Sequence, residues 1–176
     1  YAGYFAGDVT VTGTYNPFTG SHDALINPGE GVDGDIVVDI EVIAKSGVSD
    51  TFTKVAVSSS ANQKGVVGVY AKTQDKAQIY PLAISTVSQE DVANSIVPEM
   101  VPEIKPEYSS TYAAHDLISM NSLGEGQVNI CGEGGALEIG DLIVSSSMPG
   151  KGMKQSDDII RATTVAKGSE PVTFTS

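Results

Sequence analysis

Ser21, His22 and Asp23 bring together the side-chain types of a hydrolytic triad, but as immediate neighbours. Adjacent residues in a strand point to opposite faces, and a working triad converges through the fold, so the spacing favours a polar turn before Ala24-Leu25-Ile26 over nucleophilic catalysis. The other histidine, His115, precedes Asp116, and neither histidine has a second ligand two to four residues away, as a metal site would need. The plain reading of His115 is a solvated loop residue, with pairing of His115-Asp116 to distant carboxylates as the alternative. The single cysteine, Cys131, cannot form an internal disulfide and has no histidine near it in sequence, which makes it a small buried apolar residue rather than a nucleophile. Asp157-Asp158 lacks the alternating oxygen ligands of a calcium loop and reads as a turn leading into Ile159-Ile160. Among 22 acidic residues nothing selects a facing pair for glycoside hydrolysis. No catalytic residue, metal ligand or cofactor is assigned.

The stretch from Gly134 to Lys154, GGALEIGDLIVSSSMPGKGMK, looks at first sight like a phosphate-gripping loop. A P-loop requires Gly, four residues, then Gly-Lys-Ser/Thr opening a helix. Here the Gly-Lys pair is Gly150-Lys151, the first glycine is replaced by Ser145, and Gly152 stands where a magnesium-binding hydroxyl belongs. Gly140-Asp141 and Pro149-Gly150 instead mark turns into and out of a strand, with the serines at solvent-facing strand and turn positions.

The elements that must position these residues are strands. Glycine makes up 19 of 176 residues, aromatic residues are few, and aliphatic and hydroxylated residues dominate, a mixture that favours strands joined by tight turns. Val9 and Val11 alternate with Thr10 and Thr12 in an opening strand too short to bury its face within one chain, so residues 1–20 read as the end of a stalk or a trimerising, intertwined strand. From Ile36 to Ala44, Val38, Ile40 and Val42 fall on one face with Asp39 and Glu41 on the other, and Phe52 to Ser58 completes a hairpin. A third strand contains Gly68, which marks a bulge or a close backbone approach. Further strands are expected at Ala77–Ser85, with Pro81 arguing for an edge, at Gly126–Gly132, and twice in the last third. A short echo links DGDIVVD and IGDLIVSSS, where Gly-Asp precedes a β-branched run and the aspartate is placed to accept hydrogen bonds from turn amides. Between 88 and 116, Pro98, Pro102 and Pro106 forbid a continuous helix, leaving a short helix over Gln89–Val97 capped by Ser88 and an extended, acidic, exposed loop from 98 to 112. Tyr108 and Tyr112 in this loop read either as contact residues for a receptor, since tyrosine gives area at low entropic cost, or as anchors pinning the loop.

Ten basic against 22 acidic residues give a net charge of −12, which repels a phosphate backbone and argues against nucleic acid. No apolar run reaches the roughly 18 residues that a membrane span needs, no signal-peptide pattern precedes Tyr1, and the absent initiator methionine reads as a fragment of a longer protein. The expected architecture is all-β: short strands and hairpins in a compact sandwich- or barrel-like domain over 21–176, after the N-terminal strand, with little helix.

The opening YAGYFAGDVTVTGT resembles segments that lead into the C-terminal domains of trimeric bacteriophage tail fibres and related adhesins. The later text resembles a terminal module of phage structural proteins and large-virus homologues, with the string GxLExGDxIxTSxxPGxxxK followed by a TVAK-type strand. Gly135, Leu137, Glu138, Gly140, Asp141, Ile143, Ser145, Ser146, Pro149, Gly150 and Lys154 match it, then Thr164 to Lys167. The matches cover about half of the chain and leave out the Pro/Glu segment. The resemblance implies a non-enzymatic virion domain, homotrimeric, meeting other tail proteins and a host surface glycan or protein, with no membrane insertion. It leaves two alternatives: a C-terminal intramolecular chaperone with autoproteolytic activity, although no cleavage serine can be matched, and a capsid-decorating or baseplate protein.

Overall fold

The computed structural model describes residues 20–46, 50–74 and 109–174. The expected N-terminal intertwined strand, the strand around Pro81 and the helix over Gln89–Val97 lie outside the described residues. Within them the protein is all-β, as its composition predicts, with two sheets and very little helix.

Five strands close into a barrel: β1 (Ser21–Ile26), β2 (Ile36–Ser46), β3 (Asp50–Val57), β4 (Val66–Thr73) and β5 (Asp116–Asn121), in the order β1-β3-β2-β4-β5. Every seam is antiparallel except β1–β3, which is parallel and pairs only Ala24 with Thr53 and Leu25 with Lys54. The polar Ser21-His22-Asp23 does not form a turn before the strand. It is the first half of β1, because its backbone pairs with Asn121, Met120 and Ser119 of β5. Period-two alternation then sorts the core. Ala24 and Ile26 join Val37, Val55, Tyr70, Ile118 and Met120, drawn from all five strands and so filling the barrel interior. Leu25 points the other way and packs outside the barrel with Ile43, Phe52, Leu117 and Tyr112. Each Val, Ile, Leu, Phe or Met side chain among them contributes about 1.5–3 kcal/mol by leaving water.

The hairpin of β2 and β3 forms as its sequence predicts, but its faces do not. Val38 is buried, whereas Ile40 and Val42 are 58% and 45% exposed. The register against β3 slips between Asp39 and Glu41 and again between Val42 and Ala44, so an extra residue in each bulge turns the following side chains to the other face. Ile43 takes the burial that simple alternation gives to Val42. Gly68 is a close backbone approach, as read: a Cβ there would lie 2.7 Å from the Asn121 carbonyl oxygen.

A second, open sheet has the order β7-β6-β8, with β6 (Leu142–Ser145) between β7 (Gly152–Lys154) and β8 (Thr164–Lys167), all antiparallel. The segment 126–132 does not form the expected strand. It makes one parallel bridge, Ile130 to Gly152, because its backbone bonds go to two partners in turn: the Asn129 amide donates to Gly34 O, while Asn129 O accepts from Gly152. Cys131 is accordingly half-buried rather than a core residue. The helix α1 (Ser109–Ala114) replaces the end of the loop expected to stay extended to 112. It caps the outer apolar cluster through Tyr112.

Candidate functional site

The serine-rich stretch is where the two sheets meet. Ser145 and Ser146 are fully buried, which corrects the expectation of solvent-facing serines; Ser147 alone of the three is exposed. Strand β6 is central in its sheet and its end is covered by the turn after β3, so the hydroxyls have only protein to bond. Ser145 Oγ donates to Ser60 O at 2.9 Å and accepts from the Gln63 amide at 2.8 Å, while Ser145 O accepts from the Asn62 amide. Ser146 Oγ lies 3.1 Å from Met148 O and 2.9 Å from Lys151 O, closing the turn on itself. Glu133 takes the Ser147 amide and hydroxyl at 2.9 and 2.8 Å. Ser145 and Ser146 are thus structural donors to backbone carbonyl groups, and Ser147 is held by a carboxylate.

Pro149-Gly150 then docks on the barrel. Gly150 donates to Ser58 O and accepts from the Ile36 amide, both at 2.8 Å. Its φ of +73° suits glycine, and a Cβ would lie 2.5 Å from Asp35 Cγ. The Asp35 carboxylate therefore rests face-on against Gly150, with side-chain exposure of 9%. Its Oδ2 accepts from the Val32 amide at 3.1 Å, and its Oδ1 accepts from Asn129 Nδ2 at 2.8 Å and from Lys151 Nζ at 3.3 Å. Asn129 also donates to Asp33 O at 2.9 Å. Asp35, Asn129 and Lys151 thus converge from three distant parts of the chain on one buried carboxylate.

The two Gly-Asp turns of the sequence echo behave alike. Asp141 accepts from the Glu138 amide at 2.7 Å, three residues back, as Asp35 does from Val32. Each aspartate also meets a lysine, Asp141 with Lys154 at 2.7 Å. The Lys154 ammonium and the Glu138 N–H hold the Asp141 carboxyl below its ordinary range. The strands that follow nevertheless enter different sheets, β2 the barrel and β6 the open sheet.

Of the tyrosines read as contacts or anchors, Tyr108 lies outside the described residues, and Tyr112 takes the anchor position. Only 6% of Tyr112 is exposed and its ring centroid is 6.2 Å from that of Phe52, so the ring is spent on the core rather than offered outward. Burial, with a smaller contribution from the Asp23 charge, pushes its phenol up to about 12. His115 is half-buried, its Nδ1 2.7 Å from Thr111 O, so it closes the helix rather than standing free in solvent.

Asp157-Asp158 forms a turn, as expected, within an unusually well-tied loop. Gln155, 5% exposed, donates through Nε2 to Asp157 O and Ile159 O, each at 2.8 Å, and accepts from Thr164 Oγ1 at 2.7 Å. Arg161 grips both Asp157 oxygens, Nη2 to Oδ2 at 2.7 Å. This frame holds Ile159 and Ile160 in solvent, 62% and 78% exposed. Among the described residues no cluster of three or more His, Cys, Asp or Glu side chains is placed to hold a metal ion.

Neither Asp35 nor Asn129 stands out in the sequence as a site residue. The signal for Asp35 was the Gly-Asp turn itself; nothing local pointed to Asn129, whose partner is 94 residues away. Comparison with protein-family models, curated proteins and solved structures finds no match to this chain.

Proposed function

We propose that this chain is a structural and attachment domain of a phage tail fibre or a related virion fibre, assembled as a homotrimer at or near the fibre end. The observation that carries the reading is what the motif residues do. Gly140 and Asp141 make the turn into β6, Ser145 and Ser146 bond buried carbonyls, Pro149-Gly150 docks the open sheet on the barrel, and Lys154 pairs with Asp141. All of them build shape, which suits a module whose work is mechanical. Paired exposed apolar residues, Ile40 with Val42 on β2 and Ile159 with Ile160 on the tied loop, supply surface that assembly with other copies would cover.

Attachment, in this proposal, falls to the acidic, proline-spaced segment from 88 to 108, since Tyr112 is committed to the core. Removing residues 98–110 is expected to abolish binding of the labelled protein to the bacterial cells that the intact chain decorates. Undiminished binding by a deletion variant that keeps its circular dichroism would refute the attachment role.

A further inference from the structure

We propose that Asn129 and Lys151 condense to an intramolecular isopeptide bond, with Asp35 as the residue that moves the proton. The backbone sets the pair side by side. The parallel bridge between Ile130 and Gly152 places the preceding residues, Asn129 and Lys151, as lateral neighbours, so their side chains leave the same face of adjoining chains roughly 5 Å apart. Both end on one atom: Asn129 Nδ2 at 2.8 Å and Lys151 Nζ at 3.3 Å from Asp35 Oδ1.

The surroundings hold the three groups in register. The Asn129 carboxamide lies flat on Gly34, where a Cβ would come within 3.0 Å of its carbon, nitrogen and oxygen alike. The Asp35 carboxylate lies flat on Gly150 in the same way. The Asp35 side chain is 9% exposed and that of Lys151 33%, so the carboxylate on which both partners end is largely enclosed by protein. Held in place, an amine and an amide gain the rate advantage of an intramolecular reaction.

The step balances without any further reactant. Lys151 gives a proton to Asp35 Oδ1, and the neutral Nζ attacks Asn129 Cγ. The Nζ–Cγ bond forms, the Cγ–Nδ2 bond breaks, and Asp35 relays protons from Nζ to the departing nitrogen, which leaves as ammonium. Asp35 ends as the carboxylate it began as. The product clamps the 126–132 segment to the docking turn of the open sheet, closing the chain between residues 129 and 151.

Electrospray mass of the folded wild-type chain after prolonged incubation tests this, followed by tryptic mapping. The expected result is a mass lower than the sequence mass by one ammonia, with a branched peptide joining Asn129 to Lys151. Lys151→Arg, which keeps the ion pair, and Asp35→Ala are expected to carry the full sequence mass. The proposal is overturned by a full sequence mass in the incubated wild type, by ammonia loss traced to an unbranched cyclised asparagine, or by loss of water with a branch between Asp35 and Lys151. The wild-type measurement decides by itself, whatever the variants do to folding.

Discussion

Two glycines with nearly the same backbone separate conformational strain from packing. Gly29 and Gly150 have φ of +71° and +73°, but a Cβ at Gly29 meets nothing within 4 Å whereas one at Gly150 runs into Asp35. Gly29→Ala is expected to cost about 1–2 kcal/mol, the price of a left-handed backbone for an L residue. Gly150→Ala adds an overpacking cost of about 1–3 kcal/mol. Chemical denaturation of both variants measures the difference, and equal losses would show that the contact with Asp35 has no weight. Tyr112 offers a second residue-level test. Its folded pKa is raised, so its contribution is complete below the ordinary value of about 10 and is lost as pH rises from there through about 12. Ultraviolet titration of the folded protein should show a late tyrosine step near the latter value that Tyr112→Phe removes; an unchanged titration curve in the variant would contradict the burial argument.

At the scale of elements, the loop between β7 and β8 is held by charge-assisted bonds that acid removes. Asp157 is held at about 2, first by Arg161 and then by the Ile159 amide. A depressed folded pKa contributes order above the unfolded value of about 3.9 and loses it as pH falls toward the folded one. The Ile159 amide resonance is therefore expected to stay fixed at neutral pH and to move only as pH drops from about 4 toward 2, and Asp157→Asn should give the displaced position at every pH. Movement near pH 6 would point to a different tether. The elements also show what a sequence can and cannot carry. Turns are local, so Gly34-Asp35, Gly140-Asp141, Pro149-Gly150, the β2–β3 hairpin and the close approach at Gly68 were legible from residue types and spacing. The bulges of β2 depend on the register against β3, and the same strand pattern without them would have buried Ile40 and Val42. The burial of Ser145 depends on a turn more than eighty residues away, at Ser60 to Gln63. The meeting of Asp35 with Asn129 and Lys151 spans 94 and 116 residues. Nothing periodic in the chain encodes those distances.

For the whole molecule, a closed barrel and a small open sheet share a polar seam of serines, glycines and one buried carboxylate, while exposed aliphatic residues stand in pairs on both parts. Closure removes the barrel's strand edges, and among the described residues Ile40 with Val42 and Ile159 with Ile160 are exposed apolar neighbours, alongside the separately exposed Val32, Leu123, Ile139, Met148 and Phe174. A chain carrying −12 charges repels its own copies, so an assembly must gain enough from covering that surface to offset the repulsion, which physiological salt screens beyond about 8 Å. Light scattering of the purified 176-residue chain in physiological salt, at micromolar concentration, decides whether it forms a trimer. The account predicts a mass three times that of the 18.2 kDa chain, unchanged on dilution through the micromolar range. A single species at the mass of one chain would contradict it.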